Sequence, residues 1–325
     1  MARVVVLGSS NTDLTLRLPQ LPSPGQTLLG GSFITGPGGK GANQAVAARR
    51  AGADVLFLTA VGDDLLGRQA LERYQREGID IVCAKIVPGF ASGVAFIFVD
   101  DTGENMIGVA PGANARLTPD DIDRLPNPVF EDGGVFLASL EVPLETVVRA
   151  LRRARGAGMR TILNPAPSLS GLVEGEAVIV SPVDVLTPNR DEAARLTGLS
   201  LEAPGAARAA ARRLREVFGS RDVIITRGAK GCLVMTEDTM VVVPAYPVTA
   251  LDTVGAGDAF NGALAVALAE GRSLLEAAVW ASDAAALAVT RTGAQDGLPS
   301  RDVIDDLAAA PHAPPRSFEE DSFDG

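Results

Sequence analysis

A glycine-rich turn that leads into a helix-favouring stretch holds the residues best suited to chemistry. It spans Asp252 to Gly262, with the sequence DTVGAGDAFNG, and alanine-rich residues 263–269 follow it. Backbone N–H groups at the start of a helix have no partner inside the helix and carry positive partial charge, so they bind anions. Asp258 lies at the same helix start and can act as a general base. An anion site beside a general base predicts phosphoryl transfer to a hydroxyl group.

A second glycine-rich segment precedes a predicted helix near the N-terminus. Residues 36–45 have the sequence GPGGKGANQA. Glycines let the backbone approach a ligand closely, and Asn43 can cap the helix that follows. The segment is not a Walker A loop, because no Ser or Thr follows its Gly-Lys pair, and its spacing does not fit the dinucleotide-binding fingerprint. Taken alone, it is equally consistent with a structural turn before a helix.

Composition and charge exclude several classes of function. The net charge of −11 at pH 7 and the pI of about 4.7 argue against nucleic acid as a partner, because phosphate backbones attract basic surfaces. No apolar run reaches the roughly 18–20 residues of a membrane span, and residues 1–8 are typical of a strand rather than a signal peptide. Cys83 and Cys232 have no CxxC partners, which argues against structural zinc and a disulfide framework. We expect a cytoplasmic protein that binds neither nucleic acid nor membranes.

The single histidine limits the catalytic chemistry. His312 lies in the segment PHAPP, which is typical of a flexible tail. A Ser-His-Asp site, a Cys-His site and a multi-histidine metal site are therefore nearly excluded. The general base is expected to be an Asp, Glu, Lys, Tyr or Cys side chain.

Short β-rich runs alternate with helical runs through most of the chain. Strands are predicted over residues 4–8, 55–61, 135–139, 161–164 and 223–226, and helices over residues 43–51, 65–77, 144–157, 206–218, 262–270 and 274–288. This alternation predicts an α/β fold with a mostly parallel sheet covered by helices on both faces, in three layers. We predict one such domain over residues 1–310, followed by a disordered acidic tail over residues 311–325.

Two regions depart from this alternation. The residues from about 14 to 36 form extended segments around several prolines. The residues from about 91 to 110 contain the sequence DDTGE, which is typical of a hairpin turn. Together they predict a small antiparallel β sheet that projects from the core and serves as a lid or an interface. Ordinary surface hairpins are the alternative. Exposed apolar residues are expected on this lid and predict a homodimer formed through it: Phe33, Ile34, Phe96 and Phe98.

The two glycine-rich segments together resemble the signature regions of the ribokinase family of carbohydrate kinases, also called PfkB. Further motifs match in order along the chain, at residues 8–13, 24–27, 140–141, 164–167, 187–192, 226–231 and 289–295. The resemblance extends from Val4 to about Leu307. It implies the family's α/β fold with a β lid, and ATP-dependent phosphorylation of a small sugar, most of all D-ribose at O5.

The resemblance also implies a role for each matching residue. Asp258 would be the general base, and an anion hole would be formed by the amides of Gly255, Ala256 and Gly257. Sugar contacts are implied for Asn11, Asp13, Gly39, Lys40, Asn43 and Glu141, in addition to Asp258. Nucleotide contacts are implied for Asn189, Thr226, Gly228, Gly231, Gly257 and Asp283.

Two metal ions are implied in the same way. Asn189 and Glu192 would act on Mg²⁺ through water and the phosphates, although their N-x-x-E spacing is equally typical of a helix capping box. A K⁺ site would be formed by the side chain of Asp252 and by main-chain carbonyls of Val254, Ala288, Arg291 and Gly293. A serine hydroxyl often completes this shell near the position of Gly297, which has no hydroxyl.

Several alternatives remain open from the sequence. A kinase of the same family could act on another sugar or on a nucleoside, although an aromatic content of 4% favours a free sugar over a base. A sugar- or nucleotide-binding regulator without turnover is the alternative outside enzymes. A dehydrogenase is disfavoured, because the turn after the first strand lacks the glycine fingerprint.

Overall fold

The computed structural model describes residues 2–130, 133–167, 183–201, 205–237 and 239–318. Its strands are β1 (Arg3–Leu7), β2 (Asn11–Arg17), β3 (Ser32–Gly38), β4 (Asp54–Leu58), β5 (Ala60–Gly62), β6 (Lys85–Val87), β7 (Gly93–Val99), β8 (Asn105–Ala110), β9 (Val135–Ser139), β10 (Arg160–Asn164), β11 (Val185–Leu186), β12 (Asp222–Thr226), β13 (Cys232–Met235), β14 (Met240–Val243) and β15 (Arg316–Ser317). Its helices are α1 (Lys40–Arg50), α2 (Leu65–Arg76), α3 (Pro119–Asp123), α4 (Leu144–Gly156), α5 (Arg190–Thr197), α6 (Ala206–Phe218), α7 (Ala256–Ala269), α8 (Leu274–Ala288) and α9 (Arg301–Ala308).

The central sheet has the strand order β15-β14-β13-β12-β11-β10-β9-β1-β4. Strands from β4 to β12 in this order are parallel to their neighbours. The last three strands, β13, β14 and β15, extend the sheet in antiparallel pairs. The predicted mostly parallel α/β fold is confirmed.

Alternating residues of the central strands face two separate cores. On β1, Val5 and Leu7 pack into the core that includes α4 and α6, whereas Val4 and Val6 pack into the core that includes α1, α7 and α8. Successive strand side chains point to opposite faces, so a strand buried on both faces is apolar throughout. This arrangement gives the predicted three layers.

Helix α7 is apolar around its whole circumference because it is packed on several sides. Its residues from Asp258 to Leu268 are all buried. It contacts α1, α8 and the central sheet, so no face of the helix remains for solvent.

Within the described ranges, no helix is long and apolar enough to cross a bilayer.

The β lid is a separate four-stranded sheet with the order β3-β2-β7-β8. Its two outer pairs are antiparallel, as expected, whereas the central pair β2–β7 is parallel. The parallel pair arises because the chain between β2 and β7 passes through the α/β core before it returns to the lid. The lid therefore joins two distant parts of the sequence above one edge of the core.

Some predicted boundaries differ from the structure. Helix α7 begins at Ala256 rather than Gly262, and α1 begins at Lys40 rather than Asn43. Glycines have low helix propensity, so both glycine-rich starts were assigned to turns. The strand predicted over residues 55–61 is two strands, β4 and β5, separated at Thr59.

The first part of the predicted disordered tail is packed against the core. Strand β15 pairs with the outer strand β14, the N–H of Phe318 donates to the carbonyl of Met240 at 3.0 Å, and the Phe318 ring is buried. The exposed edge of β14 supplies backbone partners that the sequence of the tail does not indicate. The expectation of disorder is wrong for residues 311–318, and residues 319–325 lie outside the described residues.

Candidate active site

The predicted site residues gather at the carboxyl ends of the parallel strands, where open α/β sheets bind their ligands. Asn11, at the base of the lid, follows the end of β1. Glu141 follows the end of β9, and Asn189 follows the end of β11. The starts of α1 and α7 meet at the same edge, where residues of the two helices bond to each other. Residues that are more than two hundred positions apart in the sequence thus share one cleft.

Asp258 is buried in the first turn of α7, with 8% of its surface exposed. Its Oδ2 accepts a hydrogen bond from Nδ2 of Asn43 at 2.9 Å, and its Oδ1 accepts one from Nε2 of Gln44 at 3.0 Å. Burial raises the pKa of Asp258, while Lys40 and the two amide donors oppose that rise. Both oxygens are therefore held in fixed positions by neutral donors.

A buried network of amide side chains supports these two donors. Nε2 of Gln44 also donates to Oδ1 of Asn164 at 3.0 Å, and Nε2 of Gln295 donates to Oδ1 of Asn43 at 3.1 Å. Asn164 in turn donates to the carbonyl of Thr187 at 2.9 Å. Gln44, Asn164 and Gln295 were not among the site residues predicted from the sequence. Their signal was present, because each stands in one of the matching motifs.

The turn before α7 leaves several backbone amides without acceptors from the described part of the chain. Gly255 caps the helix with φ of 81°, and a Cβ there would lie 2.7 Å from the carbonyl oxygen of Ala294. Only glycine therefore fits this position. In the part of the chain that the structure describes, the N–H groups of Gly255, Gly257 and Asp258 have no acceptor. The N–H of Ala256 differs from this expectation, because it donates to the carbonyl of Thr253 at 3.3 Å.

The base of the lid brings two predicted sugar residues to one face. Asn11 and Asp13 are two positions apart on β2, so their side chains point to the same side. Gly38, on the neighbouring strand β3, leaves room for the side chain of Asp13. A Cβ on Gly38 would lie only 2.0 Å from Oδ1 of Asp13. Asn114, which the sequence did not indicate, donates from Nδ2 to Oδ1 of Asn11 at 2.8 Å and fixes its orientation.

Several carboxylates surround the cation of Lys40. Burial lowers the pKa of Lys40, but nearby carboxylates outweigh this effect and raise it: Asp258, Glu141, Glu192 and Asp13. Glu141 also serves the fold, because its Oε2 accepts the N–H of Lys40 at 3.0 Å and a hydrogen bond from the hydroxyl of Ser9. Gly39, with φ of 91°, turns the chain into α1 at this point. The predicted sugar residues therefore form one charged cluster.

The predicted nucleotide loop lies beside the predicted magnesium residues. Thr226 at the end of β12 forms a β-bridge with Asn189, and its N–H donates to the carbonyl of Pro188 at 3.0 Å. Gly228 and Gly231 turn the chain between β12 and β13 with φ of 57° and 80°. A Cβ on Gly231 would lie 2.0 Å from the carbonyl of Val243, which requires a glycine there.

Asn189 and Glu192 form a capping box at the start of α5. Oδ1 of Asn189 accepts the N–H of Glu192, and Oε2 of Glu192 accepts the N–H of Asn189, each at 2.8 Å. The structural meaning of their spacing is thus confirmed. Glu192 is also buried, and burial raises its pKa against the effects of the Asn189 amide and Lys40. A carboxylate and an amide oxygen have the hard oxygen chemistry that Mg²⁺ prefers. Among the described residues, no three His, Cys, Asp or Glu side chains form a metal cluster.

The predicted potassium ligands converge around Gly297. A Cβ on Gly297 would lie 2.9 Å from the carbonyl oxygen of Gly293, 3.1 Å from that of Ala288 and 3.4 Å from that of Arg291. Asp252 adjoins them, since its Oδ2 accepts the N–H of Gly293 at 2.9 Å. Three carbonyl oxygens approach Gly297 so closely that a glycine is required there, and the carbonyl of Gly293 also accepts the N–H of Gly297 at 2.9 Å. Carbonyl oxygens are ligands that suit a cation. The other predicted ligand, the carbonyl of Val254, follows Asp252 in the adjoining turn, where the N–H of Val254 donates to Oδ1 of Asp252 at 3.0 Å.

Asp283 is less accessible than a direct nucleotide contact requires. It is 1% exposed, and its Oδ1 is bonded to Nε2 of His312 at 2.8 Å. His312 therefore stands in front of it. From the sequence, this histidine was expected to lie in a flexible tail and to have no role in the site.

Replacing Asp13 by Asn tests the electrostatic cost of the cluster. Burial, together with Glu141 and Asp258, raises the pKa of Asp13 to about 6 against the opposing effect of Lys40. Because the folded-state pKa lies above the unfolded value, this carboxylate destabilises the fold at neutral pH, and the penalty disappears as pH falls through 6 toward 4. We expect Asp13→Asn to raise the free energy of unfolding by about 2 kcal/mol at pH 7.5, with a smaller gain at pH 4.5.

Urea denaturation at both pH values measures this difference. Asp101→Asn, on the exposed lid hairpin, is the matched control and should leave stability unchanged. A variant at position 13 that is less stable than the wild type at pH 7.5 would contradict the prediction.

Known proteins share this chain's sequence and fold. The family described as pfkB family carbohydrate kinase matches residues 1–301. The chain is 38% identical over 298 residues to a ribokinase of Haemophilus influenzae, covering 92% of this chain and 95% of that protein. It is 40% identical over 297 residues to a deoxyribokinase of Salmonella typhi, covering 91% and 95% respectively.

Solved structures of ribokinases share the whole architecture. The ribokinase of Giardia lamblia has a TM-score of 0.84 at 29% identity, covering 95% of this chain and 98% of that one. The ribokinase of Arabidopsis thaliana, solved in complex with ribose and ATP, has a TM-score of 0.82 at 27% identity, covering 96% and 100%. With its buried Asp258 and unpartnered helix-start amides, the chain belongs to the pfkB family of carbohydrate kinases.

Proposed function

We propose that this protein transfers the γ-phosphoryl group of ATP to O5 of D-ribose. The observation that carries the proposal is the junction of α1 and α7. There, a carboxylate held by two amide donors stands beside helix-start amides that lack acceptors. Membership of a carbohydrate kinase family supports the reaction class, and a relative solved with ribose and ATP supports the pair of substrates.

The sugar would be held at the base of the lid. Asp13 offers carboxylate oxygens as acceptors, and Asn11, whose Oδ1 already accepts from Asn114, offers its amide Nδ2 as a donor on the same face. A carboxylate that accepts from hydroxyl groups is selective, because an analogue without the hydroxyl leaves it unpaired. Lys40, Gly39 and Asn43 would line the side toward α1, with Glu141 behind them. The lid above this cluster would exclude water from the reacting atoms.

Asp258 would take the proton from the O5 hydroxyl as that oxygen attacks the γ-phosphorus. The O5–P bond forms, the bond from phosphorus to the β–γ bridging oxygen breaks, and ADP leaves. A raised pKa brings Asp258 closer to neutral pH, where a general base works best. The amides of Gly255 and Gly257, with a smaller contribution from Ala256, would stabilise the negative charge on the γ-phosphoryl group, and Lys40 would add a cation.

The nucleotide would lie along the loop after β12. Thr226, Gly228 and Gly231 would hold it there, and the amide of Gly257 would contact the phosphates. Mg²⁺, held through water by Asn189 and Glu192, would neutralise phosphate charge. Glu192 belongs to the same electrostatic cluster as Lys40 and Asp258, so this placement brings the phosphates to the general base.

A second substrate, 2-deoxy-D-ribose, is favoured by one specific observation. The deoxyribokinase of Salmonella typhi is as similar to this chain as the ribokinases are. Another sugar or a nucleoside within the same family, and a binding protein without turnover, are the remaining alternatives. Turnover measured on several sugars separates all of these.

The decisive assay measures ADP release with ribose, 2-deoxyribose, fructose and adenosine, for the wild type and for Asp258→Asn. We expect the wild type to have its highest kcat/KM with ribose. The variant should lose about 10³-fold in kcat, since a general base contributes about 10²–10⁴. It should still bind ADP, as checked by calorimetry.

Equal ADP release by the two proteins would overturn the kinase proposal. If the wild type preferred 2-deoxyribose, fructose or adenosine, that compound would become the proposed substrate, and the proposed mechanism of phosphoryl transfer would be unchanged.

We further propose that K⁺ binds in the cradle of carbonyls at Gly297 and supports the adjoining anion site. The cradle includes Asp252, which bonds to the N–H of both Val254 and Gly293 and so joins the turn before α7 to the loop after α8. A cation there would stabilise the turn that ends at Gly255. Its chemistry would be electrostatic and structural.

Gly297→Ala tests this cation site. The added methyl group would lie within 3.4 Å of three carbonyl oxygens and would displace them from their present positions. We expect K⁺ to stimulate the wild type relative to Li⁺ and to leave the variant unstimulated. Gly156→Ala, whose Cβ meets nothing within 4 Å, is the matched control. Full stimulation of Gly297→Ala by K⁺ would contradict the proposal.

We also propose a homodimer formed through the lid. The face of the lid opposite Asp13 carries a cross-strand apolar cluster, which consists of Leu14, Leu16, Phe33, Phe96, Phe98 and Met106. Phe33 is 63% exposed, Met106 50% and Phe96 49%. An exposed patch of this kind on a sheet marks an interaction surface.

Sedimentation velocity over a concentration series tests the dimer. We expect the wild type to sediment as a dimer and Phe96→Lys as a monomer, because a charge would be buried in the contact. Val82→Lys, at an exposed apolar residue outside the lid, is the control and should remain dimeric. A wild type that is monomeric at every concentration would remove this proposal.

A further inference from the structure

The C-terminal segment brings the single histidine of the chain back to the core. After α9 ends at Ala308, the chain passes His312 and then joins the central sheet as β15. Nε2 of His312 lies 2.8 Å from Oδ1 of Asp283, and its Nδ1 lies 2.6 Å from the carbonyl oxygen of Ala310. The imidazole is therefore held from both sides.

These two contacts fix the orientation of the ring. A carbonyl oxygen only accepts hydrogen bonds, so Nδ1 donates to Ala310, and Nε2 donates to Asp283 when that carboxyl is ionised. Burial raises the pKa of Asp283, and the bond to His312 opposes that rise. Burial lowers the pKa of His312, but the bonds to Asp283 and Ala310 outweigh it and raise the pKa. With both nitrogens in use, only the ring faces and edges remain for other contacts.

The ring stands next to the predicted nucleotide loop. The Tyr246 ring packs edge-on against His312, with 5.0 Å between ring centroids. Tyr246 follows Ala245, whose nitrogen lies only 2.6 Å from where a Cβ on Gly231 would be, so the nucleotide loop touches this segment directly. His312 thus lies beyond the loop that contains Thr226 and Gly228.

The chain segment that joins this ring to the anion site carries exposed apolar residues. Between Tyr246 and Gly255, the side chains of Val248, Leu251 and Val254 are 40%, 70% and 56% exposed. One short segment therefore links the amides before α7 to an aromatic ring beside the nucleotide loop, as a ligand with phosphates at one end and a base at the other would require. Aromatic rings and cations both favour contact with the face of a base.

We propose that His312 forms the outer wall of the site for the base of ATP, and that Asp283 and Tyr246 are positioning residues that hold its ring. The inference rests on the proposed kinase function for the identity of the ligand as a nucleotide. The C-terminal segment becomes part of the binding site rather than an appendage. Asp283, predicted from the sequence to contact the base, acts on it through His312.

Calorimetric binding of ADP and of pyrophosphate, both with Mg²⁺, tests the proposal on the full chain. Pyrophosphate contains the phosphates without the base, so it reports only on the anion site. We expect His312→Ala to weaken ADP binding about tenfold, as for loss of one base–aromatic contact, and to leave pyrophosphate binding unchanged. His312→Phe loses the bonds to Asp283 and Ala310 but keeps a flat ring for Tyr246 to pack against, so it should bind ADP more weakly than the wild type and more tightly than His312→Ala.

Two further variants separate ring placement from folding. Asp283→Asn keeps an oxygen acceptor for the ring and should bind ADP nearly as the wild type does, whereas Asp283→Ala should resemble His312→Ala. If His312→Ala fails to fold, the comparison of His312→Phe with His312→Gln replaces it, because Gln has no ring and should bind ADP more weakly.

The outcomes distinguish this inference from the proposed function. Unchanged ADP affinity in the variants without a ring would show that His312 only anchors the tail, and tighter binding would show that it blocks the site; either overturns the inference. If His312→Ala bound pyrophosphate more weakly by the same factor as it bound ADP, the inference would also be overturned. Wild-type protein that binds ADP but phosphorylates no sugar would overturn the proposed function alone, and no binding of ADP would overturn both.

Discussion

The burial of one carboxylate, that of Asp258, is the constraint around which the site is built. A buried charge is costly unless hydrogen bonds or opposite charges compensate it. Asn43 and Gln44 from α1 supply the hydrogen bonds, Lys40 supplies positive charge, and the first turn of α7 adds the partial charge of its amides. The compensation is incomplete, because the pKa of Asp258 remains raised. A group kept in this state is ready to accept a proton.

Close packing of glycines brings the compensating groups within reach. A Cβ on Gly262 of α7 would lie 2.5 Å from that of Ala47 on α1, so the two helices approach more closely than larger residues permit. A Cβ on Gly41 would lie 2.4 Å from the carbonyl carbon of Gly8, which fixes the start of α1 against the end of β1. The glycines thus set the distance between α1 and α7, and the amide side chains bridge it.

Local periodicity predicted the layers of the fold, whereas the residues proposed for the site were implied by the resemblance to the ribokinase family. The structure brings Asp258, Asn43 and Lys40 together at the starts of α1 and α7. The parallel pairing of β2 with β7 and the packing of β15 on β14 were missed, since both depend on edges made by distant segments. Gln44, Asn164 and Gln295 were also missed. Each stands in a motif that resembles the family, but its hydrogen-bond partners are 120 to 252 positions away in the sequence, so the buried network that they form could not be predicted from local pattern.

A crystal structure with ribose and a non-hydrolysable ATP analogue tests the central claim most directly. Our account predicts that O5 of ribose lies about 2.6–3.2 Å from a carboxylate oxygen of Asp258. It also predicts that the γ-phosphoryl group bonds to the amides of Gly255 and Gly257. A structure in which Asp258 remains closed behind Asn43 and Gln44, with the sugar and the phosphates bound elsewhere, would contradict it.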